Sequence, residues 1–163
     1  MDSQQSHIGA SRNARITRYE PNGRQPRGTS ADVRLSLPAR PENVAVIRHV
    51  LGAFAEALRI PPEQVEDMRL AITEACTNVV RHAYYRESEP GPIDVIIRPD
   101  DERLHLIVSD RGGGIGPSPD ADGPGLGLPL IAALADSVEI QPGPTRGSRL
   151  SMSFTRRPHV GAA

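Results

Sequence analysis

Glu74 and Asn78 stand four residues apart in the run Glu74-Ala75-Cys76-Thr77-Asn78. On a helix that spacing stacks them one turn apart on the same face. Asp67, Ala71, Glu74, Asn78 and Arg81 or His82 extend the face into a stripe carrying a carboxylate, an amide oxygen and basic groups. An amide oxygen can complete the oxygen shell of Mg²⁺, whose other ligands are usually water and phosphate. A carboxylate beside it can take a proton from an attacking hydroxyl, or orient it. Taken alone, Glu and Asn at this spacing are more often simply a solvated face.

Two further stretches bear on a ligand. Asp110 follows Leu104, Leu106 and Val108, whose alternation reads as a strand, and Asp110-Arg111-Gly112-Gly113-Gly114-Ile115-Gly116 comes after it. A carboxylate at a strand end can accept a hydrogen bond from an exocyclic amine such as that of adenine. Gly112 and Gly114 let backbone pass close to a flat base. An ordinary Asp-Gly turn is the alternative, and four glycines within residues 112–116 weigh against it. The other stretch, Gly123-Pro124-Gly125-Leu126-Gly127-Leu128, opens into a helical pattern. Free N–H groups at such a helix start attract phosphate. It is not a dinucleotide fingerprint, because it follows a loop rather than a strand.

Composition removes several alternatives. All nineteen basic residues are arginine. Without lysine there can be no Walker-A loop, no Schiff-base chemistry and no protein kinase of the usual fold. The net charge of −1 gives no nucleic-acid footprint. No apolar run approaches the roughly 20 residues that cross a bilayer. Asp2, Gln4, Gln5 and His7 leave no apolar secretory segment at the start, and the expected location is cytoplasmic. Cys76, the single cysteine, allows neither an internal disulfide nor a cysteine-based zinc cluster.

The elements that must position these groups are legible from periodicity. Residues 1–31 are polar, with Arg12, Arg15, Arg18, Arg24 and Arg27, and read as a basic arm; 158–163 read as a tail. Between them, 32–157 form one domain. Val33 to Leu37 alternates like a strand. Pro41 and Glu42 suit a first helical turn, with Val44, Ile47, Val50, Leu51, Phe54 and Leu58 as the apolar face. Pro61 and Pro62 open a second helix running to about Ala83, which buries Val65, Met68, Ile72, Ala75, Val79 and Val80. Strands follow at Ile93 to Arg98 and Leu104 to Ser109, then a helix over Leu128 to Ala135. Two last strands lie near Val138 to Gln141 and Ser148 to Thr155. The order predicts an α+β fold: a two-layer sandwich with helices on one face of a mostly antiparallel sheet.

Together the three stretches resemble, in order and spacing, the N-box and two glycine boxes of the GHKL ATPases. Glu74 to Tyr84 is similar to the N-box of the anti-sigma-factor serine kinases, the RsbW-like family. Asp110-Arg111-Gly112-Gly113-Gly114 matches its Asp-x-Gly-x-Gly box, Gly125-Leu126-Gly127-Leu128 its second glycine box, and Gly147-Ser148 stands where Gly-Thr is frequent. The resemblance covers Val33 to Thr155 and implies a Bergerat-type ATP site. By carry-over, Glu74 is the general base and Asn78 the Mg²⁺ ligand. Asp110 recognises adenine, with Gly112 and Gly114 shaping that pocket and Ser148 supporting it through its hydroxyl. Gly125, Leu126 and Gly127 line the triphosphate, and Arg81 and His82 are phosphate-side neighbours. One departure stands out: Ile115 to Pro124 is short and acidic, with Asp120 and Asp122 and no arginine.

The implied function is an ATP- and Mg²⁺-dependent serine/threonine protein kinase. It would phosphorylate an anti-sigma-factor antagonist of the STAS type, sequester a sigma factor, and pair with a second copy of itself. The acidic lid keeps an alternative open, an ATP-responsive sequestering module with little kinase activity. A histidine-kinase catalytic domain fits less well, since residues 1–31 supply no phosphoacceptor helix pair.

Overall fold

The computed structural model describes residues 32–113, 127–143 and 145–156. The arm, the tail, the acidic lid and the expected site residues Gly114, Gly125 and Leu126 lie outside the described residues.

The elements, in chain order, are β1 (Val33–Pro38), α1 (Pro41–Ala57), α2 (Pro62–Asn78), a π-helical turn (Val79–Ala83), β2 (Pro92–Pro99), β3 (Arg103–Ser109), α3 (Gly127–Leu134), β4 (Ser137–Pro142) and β5 (Ser148–Thr155). Proline at the first helical positions of α1 and α2 starts each helix where a missing N–H costs nothing. The strands order as β1-β2-β3-β5-β4, and every described pairing is antiparallel.

Alternation decides which face of the sheet is covered. Leu35, Leu37, Ile93, Val95, Ile97, Leu104, Leu106, Val108, Leu150, Met152 and Phe154 all turn to one side and are buried. Val44, Ile47 and Leu51 of α1, Met68, Ile72 and Cys76 of α2, and Ile131 of α3 close over them. Each fully buried aliphatic side chain is worth about 1.5–3 kcal/mol relative to exposure, so this face holds the two layers together. Val50, Phe54, Leu58 and Val80 are half-buried at the margin rather than inside. Among the described residues no helix packs on the opposite face, which carries Arg34, Ser36, Asp94, Ile96, Ile107, Arg149 and Ser151.

Two expectations are corrected. Ala71 does not belong to the polar stripe of the second helix; it is 0% exposed. It stands three residues from Met68 and four from Ala75, so helical geometry puts it in the middle of the apolar arc. The helix does continue to Ala83, but its last turn is π rather than α. Cys76 is buried on the core side of α2, and burial pushes its thiol up to about 12.

The hairpin between β2 and β3 is held by Asp100. Its carboxylate accepts from His105 Nε2 at 2.7 Å and from the backbone N–H groups of Glu102 and Arg103 at 2.9 and 2.6 Å. The His105 hydrogen bond, then the backbone ones, lower its pKa from the usual 3.8 to about 2. A depressed carboxylate adds stability above its unfolded pKa and gives it up as pH falls through the folded one. Thermal melts should therefore show a loss between about pH 4 and 2 that is smaller in Asp100→Asn. Equal pH dependence of the two proteins would remove Asp100 from the account.

Candidate functional site

Burying Met68, Ala71, Ile72, Ala75 and Cys76 on one side of α2 leaves Glu74 and Asn78 on the other, each half-buried. Neither side chain hydrogen-bonds another described residue, so their polar atoms remain available to a ligand. The first residue of α3 faces them. A Cβ added at Gly127 would lie 3.0 Å from Asn78 Nδ2, 3.3 Å from Asn78 Oδ1 and 3.4 Å from Glu74 Oε2. The carboxylate, the amide and the N–H-rich start of α3 thus converge on space that a side chain would fill. Arg81 is exposed and His82 half-buried in the π turn, one turn further on, and neither bonds a described residue.

Asp110 lies at the end of β3 and is 3% exposed. A buried carboxylate demands hydrogen bonds. Its Oδ1 accepts from Gly112 N at 2.9 Å, and its Oδ2 accepts from Ser148 N at 3.2 Å and Ser148 Oγ at 2.5 Å. Its backbone N–H donates to Ser148 O at 3.0 Å. The approach of β5 depends on Gly147, which has φ +80° and whose added Cβ would meet Asp110 O at 2.1 Å. Only glycine combines that backbone conformation with that closeness.

The two groups of residues are joined by the end of the long helix. A Cβ on Gly112 would strike Ala83 O at 1.9 Å, and Gly113 N donates to the same carbonyl at 2.7 Å. The glycine loop is therefore seated on the π turn, just beyond Asn78. Tyr84, next in the chain, donates from its hydroxyl to Pro92 O at 2.7 Å and accepts from Arg111 N at 2.9 Å. The Arg111 guanidinium turns to the open face of the sheet, where it meets Asp94 at 3.0 Å.

No group of three or more His, Cys, Asp or Glu among the described residues could hold a metal by itself. The Asn78 amide oxygen is of the kind that can serve a Mg²⁺ ion drawing most of its ligands from phosphate and water, the usual habit of this cation. Two clefts of 390 and 410 Å³ among the described residues lie on the open sheet face, beside His105 and Ile107 and beside Asp94 and Arg149.

The sequence assigns all six of these residues to one ATP site; the structure gathers Glu74, Asn78 and Gly127 in one place and Asp110, Gly112 and Ser148 in another. Sequence reasoning gave no part to Tyr84 or to the backbone of Ala83. The only signal for Tyr84 was its position at the end of the N-box run. Gly147 was noted as half of a Gly-Ser pair, but its role follows from its positive φ.

The histidine kinase-like ATPase domain model matches residues 37–154. The serine-protein kinase RsbW of Bacillus pumilus is 36% identical, with 67% of this chain and 77% of that protein covered. The same-named protein of Bacillus velezensis is 35% identical over 69% of this chain and 80% of its own length. That of Bacillus subtilis is 34% identical, covering 67% and 77%. With the N-box helix and the Asp110 loop joined as described, these likenesses establish that the chain belongs to the histidine kinase-like ATPase domain family, among the relatives of the RsbW serine-protein kinases.

Proposed function

We propose that this chain is an ATP-dependent serine/threonine protein kinase and anti-sigma factor whose phosphoryl acceptor is a small anti-sigma-factor antagonist of the STAS type. The observation that carries this reading is the convergence of Glu74 and Asn78 on Gly127, at the start of α3. Beyond the π turn lies a buried carboxylate suited to a nucleobase. An ionised carboxylate offers about four acceptor positions, and Gly112 and Ser148 engage three of those on Asp110. The remaining one suits the exocyclic amine of adenine, with Gly112 and Gly114 shaping that pocket. Gly125, Leu126 and Gly127 would line the triphosphate, with Arg81 and His82 on its phosphate side. Asn78 would hold Mg²⁺, which when bound neutralises phosphate charge.

In the transfer itself, Glu74 accepts the proton of the acceptor hydroxyl. The hydroxyl oxygen bonds the γ-phosphorus as the bond from that phosphorus to the ADP oxygen breaks. Most of the catalysis in such a site is positioning and charge stabilisation. The partners are the antagonist and a sigma factor. A second copy is the third, and the open sheet face, where Arg and Asp side chains surround Ile96 and Ile107, suits a self-complementary contact. The acidic lid, with Asp120 and Asp122 and no arginine, favours one other reading: an ATP-responsive module that sequesters its partner with little transfer.

Single-turnover transfer from labelled ATP to a serine-bearing antagonist separates the two readings. Glu74→Gln should keep the fold and ATP affinity while lowering transfer by about 10²–10⁴-fold, the range of general-base catalysis. Unchanged transfer would remove Glu74 from the chemistry, and no transfer by the unmodified protein would favour the sequestering module. Asn78→Ala should weaken Mg²⁺-ATP binding more than metal-free ATP binding in calorimetry; equal losses would make Asn78 a packing residue. ATP should bind roughly tenfold to a hundredfold more tightly than GTP, because guanine sets a carbonyl against Asp110 and a mismatched buried pair costs about 1–3 kcal/mol. Equal affinities would sink the role of Asp110.

A further inference from the structure

Strand register identifies a residue at the end of the N-box run to which the chemistry above gives no role. Ala39 N donates to Gly91 O at 2.8 Å across the start of the β1–β2 pair. Backbone polar groups alternate in direction along a strand, so Gly91 and Ile93 face β1 while Pro92 and Asp94 face β3. The β2–β3 register runs Val95 to Val108 and Asp94 to Ser109, and one further rung sets Pro92 against Arg111. Pro92 has no N–H, so only one bond is possible at that rung, from Arg111 N–H to Pro92 C=O. The hydroxyl of Tyr84 occupies it instead. Arg111 N donates to Tyr84 Oη at 2.9 Å, and Tyr84 Oη donates to Pro92 O at 2.7 Å.

We propose that Tyr84 is the positioning residue of the nucleobase pocket, its hydroxyl inserted as the last rung between β2 and β3 to fix the strand end that carries Asp110 and Gly112. The inserted hydroxyl keeps the two strands apart at this rung, where a direct bond would draw Arg111 toward Pro92. Arg111 lies between Asp110 and Gly112, so its peptide cannot shift without moving both. Two other contacts tie the bridge to its surroundings. The phenol ring passes over Gly91, where an added Cβ would meet it at 2.2 Å, and Ala83, the residue before Tyr84, receives Gly113 N at 2.7 Å. A hydroxyl in this place must stay protonated to donate to Pro92. Burial raises the Tyr84 pKa above the usual 10.0, in keeping with that demand. Phenylalanine keeps the ring and leaves the Arg111 N–H and the Pro92 carbonyl without their bridge.

The inference rests on Asp110 reading adenine, and the test separates the two. Affinities for ATP and GTP are measured on the unmodified protein, Tyr84→Phe and Asp110→Asn, together with hydrogen exchange at the Arg111 amide. Tyr84→Phe should lower the ATP-to-GTP ratio by roughly fivefold to tenfold, the effect of a lost buried bridge, and should speed Arg111 exchange. A merely structural role would lower the melting temperature and weaken both nucleotides in proportion. If Asp110→Asn loses the ratio and Tyr84→Phe keeps it, the Tyr84 inference is overturned. If Asp110→Asn keeps the ratio, the adenine reading fails, and the pocket role given to Tyr84 fails with it. Should Tyr84→Phe not fold, the unmodified protein still decides: Arg111 exchanging as fast as an open loop would show that the bridge does not form.

Discussion

A carboxylate sealed from water is tolerable only if its oxygens are met by donors, and that requirement at Asp110 organises much of the molecule. One donor comes from Gly112, two residues further along in the glycine loop, and two come from Ser148, at the start of β5. Satisfying the carboxylate therefore fixes where β3 ends, how the glycine loop leaves it and how closely β5 can approach. The two glycines involved are there for different reasons. Gly112 makes room for the Ala83 carbonyl, and Gly147 adopts a backbone conformation that other residues avoid. Both reasons trace to one negative charge kept out of water.

The second helix solves a related problem by division. Its core side carries Met68, Ala71, Ile72, Ala75 and Cys76, and its other side carries Glu74 and Asn78. The apolar arc anchors the helix to the sheet, so the two polar side chains are presented by rigid backbone. The π turn that follows does not weaken this arrangement, because its last carbonyl, that of Ala83, is taken by Gly113 N at 2.7 Å. A helix end and a loop that would each leave backbone groups unpaired complete one another.

Periodicity made the layers legible, because burial writes directly into sequence: every strand and helix expected from apolar spacing is present, with ends shifted by a residue or two. Residues whose part depends on local spacing, such as Glu74 with Asn78, could be grouped in advance. Ala71 was misplaced because a small side chain carries little hydrophobic signal, and its neighbours at three and four residues decide its side of the helix. The π turn was hidden because Val79, Val80 and Ala83 fit either helical period. The Tyr84 bridge joins groups 27 residues apart in the chain, and no local pattern encodes a hydroxyl inserted between strands. Conformation concealed Gly147 in the same way, since a positive φ is a property of the fold and not of the letter G.

The segment between the two glycine boxes begins and ends on the same helix terminus. Gly113 is bonded to Ala83, and Gly127 lies against Asn78 and Glu74. For a connection whose ends are already fixed, each doubling of length adds only about 0.6 kcal/mol of closure entropy. Insertions or deletions between these two anchors would barely disturb the sheet or the helices. The close fits at Ala83, Asn78 and Glu74 make Gly113 and Gly127, rather than the number of residues between them, the sensitive points of this connection.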